Sequence, residues 1–132
     1  MDPIEISAAG LRAQRARMDL IAANVANVDT TSVRTELRDG EVRHVPYRRR
    51  IALILEGAGG LPVMKAVEDR SEFRAEHQPG HPHAAGGTVL FPNVNPTVET
   101  VDMLAASRAY EANLTAVEVA KAMNQNALRI LG

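Results

Sequence analysis

Residues 95–131 read NPTVETVDMLAASRAYEANLTAVEVAKAMNQNALRIL, and this stretch decides the fold. Asn95 suits an N-cap and Pro96 the first helical position, after which neither glycine nor proline occurs up to Leu131. Met103, Tyr110, Val117 and Leu131 keep a seven-residue spacing, with Asn124 as the polar member and Leu114 and Leu128 in between. Such a stripe predicts one long amphipathic helix. Val101, Ala105, Ala109, Ala112, Ala116 and Val119 form a second apolar strip on another side of it. Two strips require two neighbours, one more than a helical hairpin supplies.

The other end of the chain carries the first neighbour. Asp2, Pro3 and Glu5 fit an N-cap, a first helical residue and a capping-box acid. Ile4, Leu11, Met18 and Val25 then recur every seven residues, with Ile21 and Val28 three beyond the last two. Gly10 weakens this helix by about 1 kcal/mol relative to alanine. The polar run from Asn27 to Ser32 ends it. At about 1.5 Å per residue the helices would span roughly 40 and 50 Å. The expected fold is α+β: long antiparallel N- and C-terminal helices forming a coiled-coil-like domain, with a small β-rich insertion between them. Its parts are residues 1–32, 33–93 and 94–132.

The middle reads differently. Pro46, Pro62, Pro79, Pro82 and Pro92 exclude a continuous helix. Val45 to Leu55 and Leu61 to Val67 are predicted strands joined by Glu56-Gly57-Ala58-Gly59-Gly60, and Thr88 to Phe91 is a shorter third. Tyr47, Phe73, Phe91 and Tyr110 are the only aromatics. Aromatics supply much of a compact core, so an independent core would be thin, and partners are expected to complete the burial.

Composition narrows the function. A net charge of −1 argues against nucleic-acid binding, which needs concentrated cationic charge. The absence of cysteine removes disulfides, thiolate nucleophiles and cysteine zinc sites. Nothing resembles a cleaved secretory signal or a membrane span. Ser7, Ser32, Ser71 and Ser107 lack a neighbouring histidine or nucleophile-elbow glycines. Glu68 and Asp69, adjacent on a strand, would point to opposite faces. Gly57-Ala58-Gly59-Gly60 leads into a strand, not a phosphate-binding helix. His77, His81 and His83 cluster near Glu76, but the prolines and glycine among them give no regular ligand geometry, so an interfacial or solvated loop is the better reading than a metal site. The chain reads as a structural subunit and not an enzyme, with no cofactor.

The sequence Ile21-Ala22-Ala23-Asn24-Val25-Ala26-Asn27-Val28-Asp29-Thr30-Thr31 resembles the N-terminal signature of flagellar rod and hook proteins. Asp102-Met103-Leu104-Ala105-Ala106-Ser107-Arg108-Ala109-Tyr110-Glu111-Ala112-Asn113 resembles their C-terminal signature. The loop Pro79-Gly80-His81-Pro82, followed by Phe91-Pro92-Asn93-Val94-Asn95, is similar to a proximal rod member of that family. Ala23 stands where the family usually has a second asparagine, Gln78 where aspartate is common, and Arg70 and Glu72 where prolines are frequent.

The resemblance implies a subunit of the bacterial basal-body rod, which crosses the periplasm, exported through the flagellar type III apparatus without a cleaved signal. The implied partners are further copies, other proximal and distal rod proteins, and components of the MS ring and rod base. It also implies terminal helices lining the channel of a tube, with the β insertion outside. Expected subunit contacts are Ile4, Leu11, Arg15, Met18, Ile21, Asn24, Val25, Asn27 and Val28 on the first helix and the turn after it. On the second they are Met103, Arg108, Tyr110, Asn113, Leu114, Val117 and Leu128. Arg12, Arg15 and Arg17 either form a solvated face or meet carboxylates such as Asp102, Glu111 or Glu118 on neighbouring helices. Alternative readings are another small rod subunit and a helical adaptor that does not polymerise.

Overall fold

The computed structural model describes residues 2–132. Helix α1 (Pro3–Ala26) is capped by Asp2, whose side chain accepts from the Ile4 N–H at 3.0 Å. It stops at Asn27, where the Asn27 Nδ2 donates to the Ala23 carbonyl at 2.8 Å. Helix α2 (Pro96–Leu131) is capped by Asn95, which accepts from the Thr97 N–H at 3.0 Å. Between them lie β1 (Arg34–Arg38), β2 (Glu41–Val45), β3 (Arg50–Glu56), β4 (Pro62–Glu68), β5 (Arg74–His77) and β6 (Thr88–Phe91).

The strands form three separate antiparallel hairpins, β1–β2, β3–β4 and β5–β6. In β1–β2, Leu37 faces Val42 across an Asp39-Gly40 turn in which both residues have positive φ. That dipeptide favours this kind of tight turn because it tolerates the left-handed region. The β3–β4 hairpin lies against α1. In β6, Val89 and Phe91 point inward while Thr88 and Leu90 face out, the alternation a half-buried strand requires.

The two helices cross in antiparallel register. Gly10 meets Asn113, Met18 meets Ser107, and Asn24 meets Glu99. Gly10 is needed here for close approach, since a Cβ on it would lie 2.8 Å from Asn113 Oδ1.

These contacts overturn the expected coiled-coil-like domain with a single small β-rich insertion. In such a domain, large apolar side chains every seven residues would fill the seam. Instead α1 buries Ala9, Gly10, Ala13, Leu20, Ile21 and Asn24, and α2 buries Glu99, Ala106 and Val117. Small and polar residues let the backbones come close, and much of the predicted stripe falls to the side: Ile4, Leu11 and Met18 are half-buried and Val25 is exposed, though Ile21 and Val117 are buried. Nor is α1 paired with α2 alone, because β3–β4 covers another of its faces. The middle is three hairpins, not one unit with its own sheet. Pro46 explains why the predicted strand from Val45 to Leu55 is broken, since β2 ends just before it and β3 begins at Arg50. Among the described residues, no helix is long and apolar enough to cross a membrane.

Candidate assembly surface and its polar anchor

The segment leading into β3 carries Arg48-Arg49-Arg50, and the middle arginine reaches three carboxylates. Its Nε donates to Glu99 Oε1 at 2.5 Å, Nη1 to Asp69 Oδ2 at 3.2 Å and Nη2 to Asp102 Oδ2 at 3.1 Å. Glu99 and Asp102 are three apart on α2 and so share a face, while Asp69 follows β4. The guanidinium fork suits this multiple pairing in a way lysine would not. Burial works against the Arg49 charge, but the hydrogen bonds and charges of Glu99 and Asp69 outweigh it and hold its pKa above the ordinary value.

Asn24 completes the anchor from α1. Its Nδ2 donates to the Arg50 carbonyl at 2.8 Å and to Glu99 Oε2 at 3.3 Å. Its Oδ1 accepts from the Tyr47 hydroxyl at 2.8 Å and the Arg50 N–H at 3.1 Å. Glu99 is 0% and Asn24 1% exposed. A buried polar group is tolerable only when satisfied, and among the described residues no buried side-chain polar atom lacks a partner. Asn93 ties in the segment before α2: its Oδ1 accepts from the Arg49 N–H at 2.7 Å, and its Nδ2 donates to the Asp69 carbonyl at 3.0 Å. The Ser71 N–H donates to Asp69 at 2.9 Å. That bond, with the Ser71 hydroxyl and Arg49, lowers the Asp69 pKa against the opposing effect of burial. Five segments are therefore fixed by one charge-centred network.

Beside the anchor, an open groove of about 590 Å³ runs between the helices, lined by Ile21, Ala22, Val25, Met103, Leu104 and Ser107. Farther along α2, Val101, Leu104, Leu114, Val119, Met123, Leu128, Ile130 and Leu131 are exposed. The second apolar strip stays open too, apart from half-buried Ala109. The N-terminus of α1 reaches only as far as Ala120, Met123 and Asn124. The last turns of α2 extend beyond it.

The expected contact residues divide into three groups. Ile21, Asn24 and Val117 are buried within the chain; Ile4, Leu11, Met18, Asn27, Val28, Met103, Tyr110 and Asn113 are half-buried; Arg15, Val25, Arg108, Leu114 and Leu128 are exposed. Arg15 forms no ion pair among the described residues, and Asp102 is held by Arg49 of the same chain. In the loop motif, Phe91, Pro92 and Val94 are buried, His81 and Asn93 half-buried, and Pro79, Gly80, Pro82 and Asn95 exposed. Among the described residues, no group of histidines and carboxylates has metal-holding geometry. Sequence reasoning missed Arg49 and Glu99. The available signal was the triple-arginine run together with a Glu99/Asp102 pair at helical spacing.

Comparison with known proteins agrees with this arrangement of ends and middle. Residues 4–32 match the family described as flagella basal body rod protein, and residues 85–130 match the flagellar basal body rod FlgEFG protein C-terminal family. Two terminal helices bearing these signatures define a structural subunit of the bacterial flagellar basal-body rod. The chain is 39% identical to flagellar basal-body rod protein FlgC of Bacillus subtilis (strain 168), covering 96% of this chain and 95% of the relative. It is 37% identical to the FlgC of Borreliella burgdorferi, covering 97% and 95%, and 32% identical to that of Salmonella typhimurium, covering 90% and 88%. It belongs to the FlgC family of rod proteins. Its place is the flagellar basal body, in assembly with other components of that structure.

Proposed function

We propose that this subunit polymerises helically into the proximal rod through the exposed apolar faces of α1 and α2. One observation carries the reading: one side of α2 displays an apolar strip, Val98, Val101, Ala105, Ala112, Ala116, Val119, Met123 and Ile130, that its own chain leaves exposed, and Leu104, Leu114, Leu128 and Leu131 are exposed on its other sides. Exposed apolar area of that extent marks an interaction surface. The groove, which includes Leu104, and this strip lie on different sides of α2, so one face of a subunit can meet a different face of the next, and such heterologous contacts propagate instead of closing.

In this reading residues 1–32 and 94–132 form the inner layer around an export channel, and 33–93 lies outside. The expected contacts named from the sequence, including Arg15, Val25, Arg108, Leu114 and Leu128, act between subunits. The rod is then a drive shaft carrying torque toward the hook. Its neighbours are further copies, other proximal and distal rod proteins and the MS-ring base, and it reaches the periplasm through the flagellar type III apparatus.

The test uses Leu104→Asp and Val119→Asp in cells lacking the native subunit. Both positions are exposed, so the purified variants should keep the circular dichroism and melting midpoint of the parent while failing to restore rods and swimming. Normal rods from both variants would refute the assembly face. A helical adaptor that does not polymerise would instead appear once, not repeatedly, in images of the basal body.

A further inference from the structure

Three histidines, His81 and His83 from one loop and His44 from β2, meet beside the β1–β2 hairpin. The His44 ring, from β2, stacks on that of His83 with centroids 4.2 Å apart and planes at 30°. His81 is tilted against His83 at 5.3 Å, and its far side meets Phe91. Both ends of the stack grip the segment that joins α1 to β1. His83 Nδ1 shares a hydrogen bond with the Thr31 hydroxyl at 2.6 Å, and His44 Nδ1 shares one with Ser32 at 2.8 Å. His81 Nδ1 accepts from the His83 backbone N–H at 3.0 Å.

These contacts matter because β1–β2 has little else to hold it. Every residue of β1 is exposed, and Leu37 is 78% exposed. A two-stranded hairpin alone is marginal in water. Apart from its own pairing, which Val33 N–H extends by donating to Val45, it is tied to the body through the Tyr47 N–H, which donates to Thr30, and through the histidine stack.

We propose that His44, His81 and His83 form a pH-responsive latch, closed when the imidazoles are neutral, that fixes the orientation of the β1–β2 hairpin against the loop between β5 and β6. The chemistry follows from the bonds. A proton on His81 Nδ1 turns an acceptor into a donor facing the His83 N–H, so that bond is lost. Protonating both His44 and His83 sets two cations face to face at stacking distance.

The surrounding charges do not relieve this. Arg43 lines the same cleft. Arg74 lies over Phe91, and its own partners are Asp29 and Glu76. His77 lies at Gly87, on the far side of the loop. Among the described residues no carboxylate is within ion-pair distance of any histidine. Desolvation first, then His44 and His81, lower the His83 pKa.

The sign follows directly. A folded-state imidazole pKa below the unfolded value means that the unfolded state binds more protons. The latch's contribution is therefore full above the ordinary histidine value of about 6.5. It is lost as pH falls from there through the lowered folded value.

Amide hydrogen exchange of the full chain at about pH 8 and about pH 5, corrected for intrinsic rates, reads the latch directly. At the lower pH, residues 31–45 and 78–88 should lose protection at least several-fold while α1 and α2 keep theirs. In His83→Asn and, separately, His44→Asn, this selective step should shrink or vanish, with protection at pH 8 already reduced. Equal protection of the hairpin at both pH values would overturn the proposal. So would an undiminished step in both variants. Should one variant fail to fold, histidine ring titrations by NMR of the native chain decide instead: coupled titrations with the His83 midpoint below the ordinary value support the latch, and independent titrations with an ordinary His83 midpoint reject it.

Discussion

Replacing Arg49 with methionine tests the anchor most sharply. The shorter methionine keeps most of the aliphatic stem but loses the charge that holds Glu99, Asp69 and Asp102. Asp69 and Asp102 retain access to water, with side chains 21% and 36% exposed, so their loss costs little. Glu99 has no such relief, because its side chain is wholly buried. Only the Asn24 amide, at 3.3 Å, remains beside it. Removing one partner of a buried ion pair costs about 3–5 kcal/mol, and the surviving Asn24 bond places Arg49→Met near the lower end, at about 3 kcal/mol. Adding Glu99→Met removes the stranded charge and should recover more than half of that loss. Urea unfolding monitored by circular dichroism measures all three variants, with Glu99→Met alone closing the cycle. A single-variant loss below about 1 kcal/mol, or a double variant no better than Arg49→Met, would refute the reasoning.

Two further substitutions probe the same helix pair. Asn24→Asp is isosteric, but it sets a carboxylate against buried Glu99 and removes both Nδ2 donations, to Glu99 and to the Arg50 carbonyl; it should destabilise by about 2–3 kcal/mol in urea unfolding. Gly10→Ala would ordinarily stabilise a helix by about 1 kcal/mol, yet its Cβ would meet Asn113. A net loss of about 1 kcal/mol is expected from the overpacking, and adding Asn113→Ala should reverse it in the same assay.

The caps, the helix ends and the last strand were legible because each depends on local chemistry. Asp2-Pro3 and Asn95-Pro96 start their helices through bonds to residues two positions away. The hairpins were harder. Strand β1 is Arg34-Thr35-Glu36-Leu37-Arg38, with one apolar residue and no buried face, so alternation gave no signal and only the Asp39-Gly40 turn remained to read. Strand β5 is likewise mostly polar.

The seam between the helices misled for a different reason. Periodicity identifies large apolar stripes, but this contact mixes small side chains and a buried Asn24–Glu99 pair with only a few large residues, Leu20, Ile21 and Val117, and leaves many of the others exposed. Arg49 and Glu99 are 50 residues apart in sequence. Their meeting depends on how β3 docks on α1, which no local pattern encodes.

The central claim is that the uncovered apolar face of α2 is where rod subunits meet. A cryo-EM map of the basal body, resolved well enough to trace this subunit, tests it directly. The account predicts Val101, Leu104, Val119, Met123 and Leu128 buried against neighbouring helices. Finding α2 with those side chains facing open solvent along its length would contradict it.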